Sequence, residues 1–220
     1  MQKELHAVLF DMDGTLVDTE GLWWQAVEEE ARKLGLRLGE ADVPYVLGRA
    51  VEDSAAHLAE RAGGRTGADR LCAALERRFA ELVRHQVVPL PGALELLDAL
   101  DAAGVPTALV SASSRPVVDT VLDALGRRRF AASFAAGETP ETKPAPDPYR
   151  AAVAALGADP GRCVAVEDTP TGVASAEAAG CAVVAVPSVA EIPAAPRRTV
   201  VRSLLDVDLD LLLGLVPAAG

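Results

Sequence analysis

Residues 6–15 read His6-Ala7-Val8-Leu9-Phe10-Asp11-Met12-Asp13-Gly14-Thr15, and this stretch decides the fold. An apolar run of strand length passes directly into an acidic, glycine-containing loop. A strand apolar at successive positions is buried on both faces, as in a parallel sheet covered by helices. The loop that follows such a strand lies at the carboxyl edge of the sheet, where open α/β folds bind their ligands. Asp11 and Asp13 are two apart and project to one side of an extended backbone, while Gly14 lets the chain turn away without a side chain in the approach.

Working outward, the pattern changes from Thr19 to about His85. Trp23, Val27, Ala31 and Leu34 recur at helical spacing and Gly35 stops the helix. Residues 52–62 and 69–84 also read as amphipathic helices, with Gly63-Gly64 between them. Pro89-Leu90-Pro91-Gly92 marks a second boundary, after which strand and helix alternate. Residues 93–103, 116–125, 148–156 and 169–179 read as helices closed by Gly104, Gly126, Gly157 and Gly180. Residues 105–111, 130–136, 163–167 and 181–187 read as strands, the last being the final core strand expected. Such alternation implies right-handed crossovers. The expected fold class is therefore α/β: a Rossmann-like parallel sheet with helices on both faces, plus an inserted α-helical segment.

The composition agrees with a packed interior. Of 220 residues 50% are hydrophobic and 24% charged, and mean hydropathy is +0.20, which excludes disorder over most of the chain. A net charge of −11 and a pI near 4.7 argue against nucleic-acid or anionic-membrane partners. The opening residues lack the pattern of a signal peptide, and no uncharged apolar window reaches the roughly 18 residues of a membrane span. Cys72, Cys163 and Cys181 are odd in number and widely spaced, which fits reduced thiols in the cytoplasm rather than a disulfide framework or a zinc site.

Parallel topology brings the other strand ends to the same crevice. They carry Ser111-Ala112-Ser113 and Glu167-Asp168, and Lys143 lies in a loop between elements. Four carboxylates (Asp11, Asp13, Glu167, Asp168) against one lysine repel strongly, at about 4 kcal/mol per like-charge pair at contact distance. A divalent cation relieves this, and all-oxygen ligands that leave room for water favour Mg²⁺. With the cation in place the remaining groups suit phosphoryl transfer: one carboxylate attacks phosphorus, a neighbouring carboxyl protonates the leaving oxygen, and Ser111, Lys143 and backbone amides hold the equatorial oxygens.

Four stretches, DMDGTLVDTE (11–20), SAS (111–113), TKPAPDPY (142–149) and VEDTPTG (166–172), together resemble the ordered motifs of the haloacid-dehalogenase-like hydrolase superfamily. The helical insertion after the first motif resembles the subclass with an α-helical cap. The resemblance implies a discontinuous catalytic core, 1–16 and 89–220, and a cap, 17–88. It implies Asp11 as a nucleophile that forms an aspartyl-phosphate, and Asp13 as general acid and then base. Ser111, Ala112 and Lys143 would bind the phosphoryl group. Mg²⁺ would be held by the Asp11 carboxylate, the Asp13 main-chain carbonyl and Asp168, with Glu167 supporting a metal-bound water. An acid at position 13 favours phosphate chemistry, because the dehalogenases lack one there.

The expected activity is hydrolysis of a small phosphorylated metabolite, a phosphosugar or a phosphoglycolate-like acid, by a monomer or weak dimer. Two alternatives stand beside it: a phosphosugar mutase resembling β-phosphoglucomutase, and a non-catalytic binder of a phosphorylated ligand or partner protein. The mutases carry a histidine where this chain has Trp23, and Lys-Asn where it has Ser114-Arg115. Arg49, Trp23, Ser113 and Arg115 are the candidates for substrate specificity, with only one of the adjacent Trp23 and Trp24 expected on the core side of its helix. Asp147 is expected to cap a helix, Arg127-Arg128-Arg129 to form a solvated loop, and the three cysteines to serve packing.

Overall fold

A computed structural model describes residues 4–188 and 190–218. In chain order the strands and α-helices are β1 (Ala7–Phe10), α1 (Glu20–Lys33), α2 (Val43–Val46), α3 (Val51–Arg61), α4 (Ala68–Gln86), α5 (Ala93–Ala102) and β2 (Thr107–Val110). Then follow α6 (Arg115–Leu125), β3 (Ala132–Phe134), α7 (Asp147–Ala155), β4 (Cys163–Glu167), α8 (Pro170–Ala178), β5 (Ala182–Ala185), β6 (Arg198–Val200) and α9 (Leu209–Leu215). The chain divides into two compact units: residues through Val17 with those from Pro89 onward, and Asp18–Val88.

The first unit is an α/β layer built on a parallel six-stranded sheet in the order β3-β2-β1-β4-β5-β6. β1 sits inside the sheet between β2 and β4, so strand order reverses beside it and its carboxyl end opens on a switch point. Ala7, Leu9, Ala108, Val110, Cys163 and Ala165 point into one apolar cluster with Tyr149, Ala152 and Val153 of α7 and Val173 and Ala176 of α8. The alternate residues Val8, Phe10, Leu109, Val164 and Val166 are equally buried and face the other side, so both faces of the sheet are covered. Val17 is tied to this unit by bridges to Asp13 and Pro89.

The start of α8 is written in the sequence. Thr169 accepts from the Gly172 amide at 3.1 Å and Pro170 occupies the first turn, a cap that contributes about 1 kcal/mol. The second unit packs α1, α3 and α4 around Val27, Ala31, Val46, Ala55, Leu58, Leu71 and Leu75.

Several local expectations need correcting. Trp23 and Trp24 both pack, half-buried, against the apolar cluster of the second unit, because the cluster is wide enough to meet two faces of α1. Asp147 is the first residue of α7 and does not cap it; Pro146 holds that position without a side-chain bond. Arg127–Arg129 form a single 3₁₀ turn rather than a loop, with Arg127 and Arg128 exposed as expected. There Arg127 bonds Asp119 and Asp123 at 2.9 and 3.0 Å, and Arg129 bonds Asp98. β6 and α9 extend the fold beyond the last strand expected. Among the described residues, no helix is long and apolar enough to cross a membrane.

Candidate active site

Because β2, β1 and β4 are neighbours, the residues that follow them meet at one edge. Register pairs Phe10 with Leu109 on one side and Val166 on the other, which sets Asp11 level with the end of β2 and with Glu167. The Asp11 amide continues the ladder by donating to Val166 O at 3.0 Å.

Lys143 ties these ends together. Its Nζ donates to Asp11 Oδ1 at 2.6 Å, to Glu167 Oε1 at 2.6 Å and to Val110 O at 2.9 Å. An ammonium has three N–H donors, and all three are placed. The side chain is only 7% exposed. It comes from the proline-framed loop 142–146, whose Lys143–Pro144 peptide is cis.

Glu167 is fully buried. Its Oε1 accepts from Lys143 and from the Tyr149 hydroxyl, the latter at 2.6 Å, and its Oε2 accepts from the Asp168 amide and Thr169 Oγ1. Those four donors match the roughly four lone-pair sites of a carboxylate. The Glu167 contacts are thus with lysine, tyrosine and the head of α8. That head approaches so closely that a Cβ on Gly172 would stand about 2.0 Å from the carboxylate.

Asp168 accepts from Thr15 Oγ1 at 3.3 Å and Ser188 Oγ at 2.6 Å. Gly14, at φ +77°, lets the loop press on it: a Cβ there would lie 2.4 Å from Asp168 Oδ2. Asp13 Oδ2 accepts from Ser111 Oγ at 3.1 Å and Ser113 Oγ at 2.8 Å, and the Ser113 amide donates back to Ser111 Oγ at 2.9 Å.

The electrostatics record an excess of negative charge. Burial opposes the Lys143 ammonium, but Asp11 and Glu167 outweigh it and raise its pKa, so the lysine stays charged. Burial, with the Asp11 charge next, pushes Asp168 up to about 8. Burial likewise raises Glu167 against the pull of Lys143. Asp11, Glu167 and Asp168 each offer an oxygen, and these oxygens lie within 4.8 Å of one another. Three acids around one lysine, with oxygen donors alone, fit a hard divalent cation, whose charge reverses the cause of the Asp168 shift.

The structure therefore brings together Asp11, Asp13, Ser111, Ser113, Lys143, Glu167 and Asp168. Ala112 is exposed in the bend between the two serines. Arg115 is committed elsewhere: it donates to Ser133 Oγ at 2.9 Å and to both Glu138 oxygens, clamping β3 to the loop that follows it. Arg49 and Trp23 belong to the second unit. Arg49 is exposed after α2, its Nε on Pro44 O at 3.0 Å. Trp23 Nε1 donates to Val46 O at 3.0 Å, with its ring edge-on to Phe79. Sequence reasoning missed Thr15, Tyr149 and Ser188. The first two stand inside quoted motifs, where a hydroxyl among acids was the available signal; nothing marks Ser188.

Residues 5–180 match the family model of haloacid dehalogenase-like hydrolases. Protein CbbY of Rhodobacter capsulatus is 36% identical over 196 residues, covering 84% of this chain and 86% of that protein. Hexitol phosphatase A of Escherichia coli (strain K12) is 35% identical over 186 residues, covering 84% of each. The crystal structure of CbbY from Rhodobacter sphaeroides in complex with phosphate superposes with a TM-score of 0.81 at 27% identity, covering 92% of this chain and 96% of that one. A mutant of the same protein is solved with xylulose-(1,5)bisphosphate, with a TM-score of 0.79 at 26% identity and the same coverage. The chain belongs to the haloacid dehalogenase-like hydrolases. Within that family it is an enzyme of the phosphoric monoester hydrolase class.

Proposed function

We propose that this chain is a Mg²⁺-dependent phosphatase that hydrolyses a small phosphorylated metabolite, a phosphosugar or phosphoglycolate-like acid, through a phosphorylated Asp11. The observation that carries this reading is the meeting of Asp11, Lys143, Glu167 and Asp168, with Asp13 and two serines, at one sheet edge. The names of the relatives, hexitol phosphatase and a protein solved with a sugar bisphosphate, support the substrate class.

In the first step an Asp11 oxygen attacks phosphorus in line, the bond to the ester oxygen breaks, and Asp13 gives its proton to the departing alkoxide. In the second, Asp13 takes a proton from water, whose oxygen attacks phosphorus; the bond to Asp11 breaks and inorganic phosphate leaves. Lys143 and Ser111, with the amides around Ala112, hold the equatorial oxygens, and the lysine also bonds an Asp11 oxygen at 2.6 Å. Asp11 and Asp168, with the main-chain carbonyl of Asp13, would hold Mg²⁺, and Glu167 would support the site from behind through its bond to Lys143. When bound, the cation neutralises phosphoryl charge. The unit 18–88 acts as a cap that selects the leaving group, with Arg49 as its anion-binding candidate and Trp23 as packing. Unpaired thiols fit a cytoplasmic setting.

A phosphate-release screen over phosphorylated sugars, hexitols and short acids, with and without Mg²⁺, tests the reading. Release that requires the cation, strongest on one sugar-sized ester, is expected. Conversion of β-glucose 1-phosphate to glucose 6-phosphate without free phosphate would overturn it in favour of a mutase.

A further inference from the structure

Lys143 has no donor left over. To hold a phosphoryl oxygen it must release one of its three acceptors: Asp11 Oδ1, Val110 O or Glu167 Oε1. Releasing Val110 O strands a buried backbone acceptor at the end of β2, and releasing Asp11 Oδ1 takes away the donor that fixes the attacking carboxylate. Among the described residues, Glu167 Oε1 is the acceptor of the three that already receives a second donor, the Tyr149 hydroxyl at 2.6 Å.

We infer that Tyr149 is a positioning residue of the phosphate site: its hydroxyl keeps Glu167 satisfied and in place while Lys143 turns a donor from that carboxylate to the phosphoryl group. The inference rests on the phosphatase reading for its substrate, and on geometry for its residue.

Three features support it. Tyr149 is fully buried, packed under the carboxyl ends of β1 and β2 with Leu9 and Val110, so its hydroxyl has one place to be. Burial, with the Glu167 charge next, raises its pKa well above the ordinary value, so it remains a donor throughout the working range. Its ring lies 5.1 Å from Lys143 Nζ, within range of a cation–π contact. The tyrosine thereby separates two needs of Glu167. It is an anion that attracts the lysine, yet losing one lysine bond does not strand its oxygen.

Tyr149→Phe removes the hydroxyl and keeps the ring. Inorganic phosphate binding by calorimetry, KM and kcat on p-nitrophenyl phosphate, and the thermal midpoint are measured for wild type, Tyr149→Phe, Lys143→Met and the double variant. The expected result is phosphate affinity and kcat/KM each weakened about tenfold in Tyr149→Phe, mainly through KM, the effect of one hydrogen bond to a charged group. Tyr149→Phe should add nothing to Lys143→Met. Unchanged phosphate affinity and KM overturn the inference, even with a lowered midpoint, since that pattern marks a structural role alone. So does an equal loss in the lysine-free background. If wild type binds phosphate but hydrolyses no ester, the phosphatase reading falls and the affinities still decide Tyr149. If wild type binds no phosphate, both fall.

Discussion

Each unit of the molecule buries acidic groups, and the two clusters are built oppositely. In the second unit Asp42 stands alone among donors: His57 Nε2 lies 2.7 Å from Oδ1, Arg61 donates to the same oxygen at 2.5 Å, and the Gly39 amide donates to Oδ2 at 2.8 Å. Burial pulls this carboxyl up, but His57, Gly39 and Arg61 outweigh it and hold it below the usual range. In the first unit three carboxylates lie together, Lys143 bonds only Asp11 and Glu167 of them, and Asp168 is pushed up to about 8. A cluster that balances its own charge knits a scaffold together, here fixing the turn around α2, whose Tyr45 stacks on His57. One left with surplus charge is finished by something else, which is how a binding site differs from a staple.

The largest expected effect separates the two clusters by activity. Asp11→Asn should lower phosphate release by on the order of 10³-fold or more, because the neutral amide cannot attack phosphorus. Asp42→Asn, assayed alongside, should keep the wild-type rate within about threefold. Similar losses in both variants would erase the distinction.

Stability should sort them the other way. Asp42→Ala leaves His57 and Arg61 without their acceptor and should cost about 2 kcal/mol in urea unfolding, a value discounted because Arg61 is partly exposed. Because folding depresses the Asp42 pKa, its contribution is present above the ordinary carboxyl range and is lost as pH falls through the folded value. Wild type should therefore lose more stability below about pH 4 than Asp42→Asn does. Parallel acid profiles would contradict this.

Smaller still, Thr169→Ala removes the cap of α8 behind Asp168 and should cost about 1 kcal/mol. Least of all, Cys163 and Cys181, whose thiols burial pushes up to about 12, should resist iodoacetamide at pH 8 in the folded protein, with the half-buried Cys72 modified first.

Much of this was legible in the sequence because the signals are local. The run 7–10, the turn at Gly14, the threonine–proline start of α8 and the glycine stops each specify backbone through their own chemistry. The motif carboxylates, Ser111 and Lys143 follow from strand ends meeting at one edge. What escaped is set by tertiary context. β6 is three residues of Arg198-Thr199-Val200 at a sheet edge, too short and polar to show a period. Arg115 resembled an anion ligand until β3 and Glu138 were folded against it. Ser188 lies 20 positions beyond the carboxylate it touches, and only the β4–β5 pairing brings it there.

Calorimetric titration of Mg²⁺ into wild type, Asp42→Asn and Asp168→Asn tests the central claim most directly. One ion should bind to wild type and to Asp42→Asn, and Asp168→Asn should bind none over the same range. Equal binding to Asp168→Asn, or no binding to wild type, would mean that the surplus acid at the end of β4 does not hold a cation.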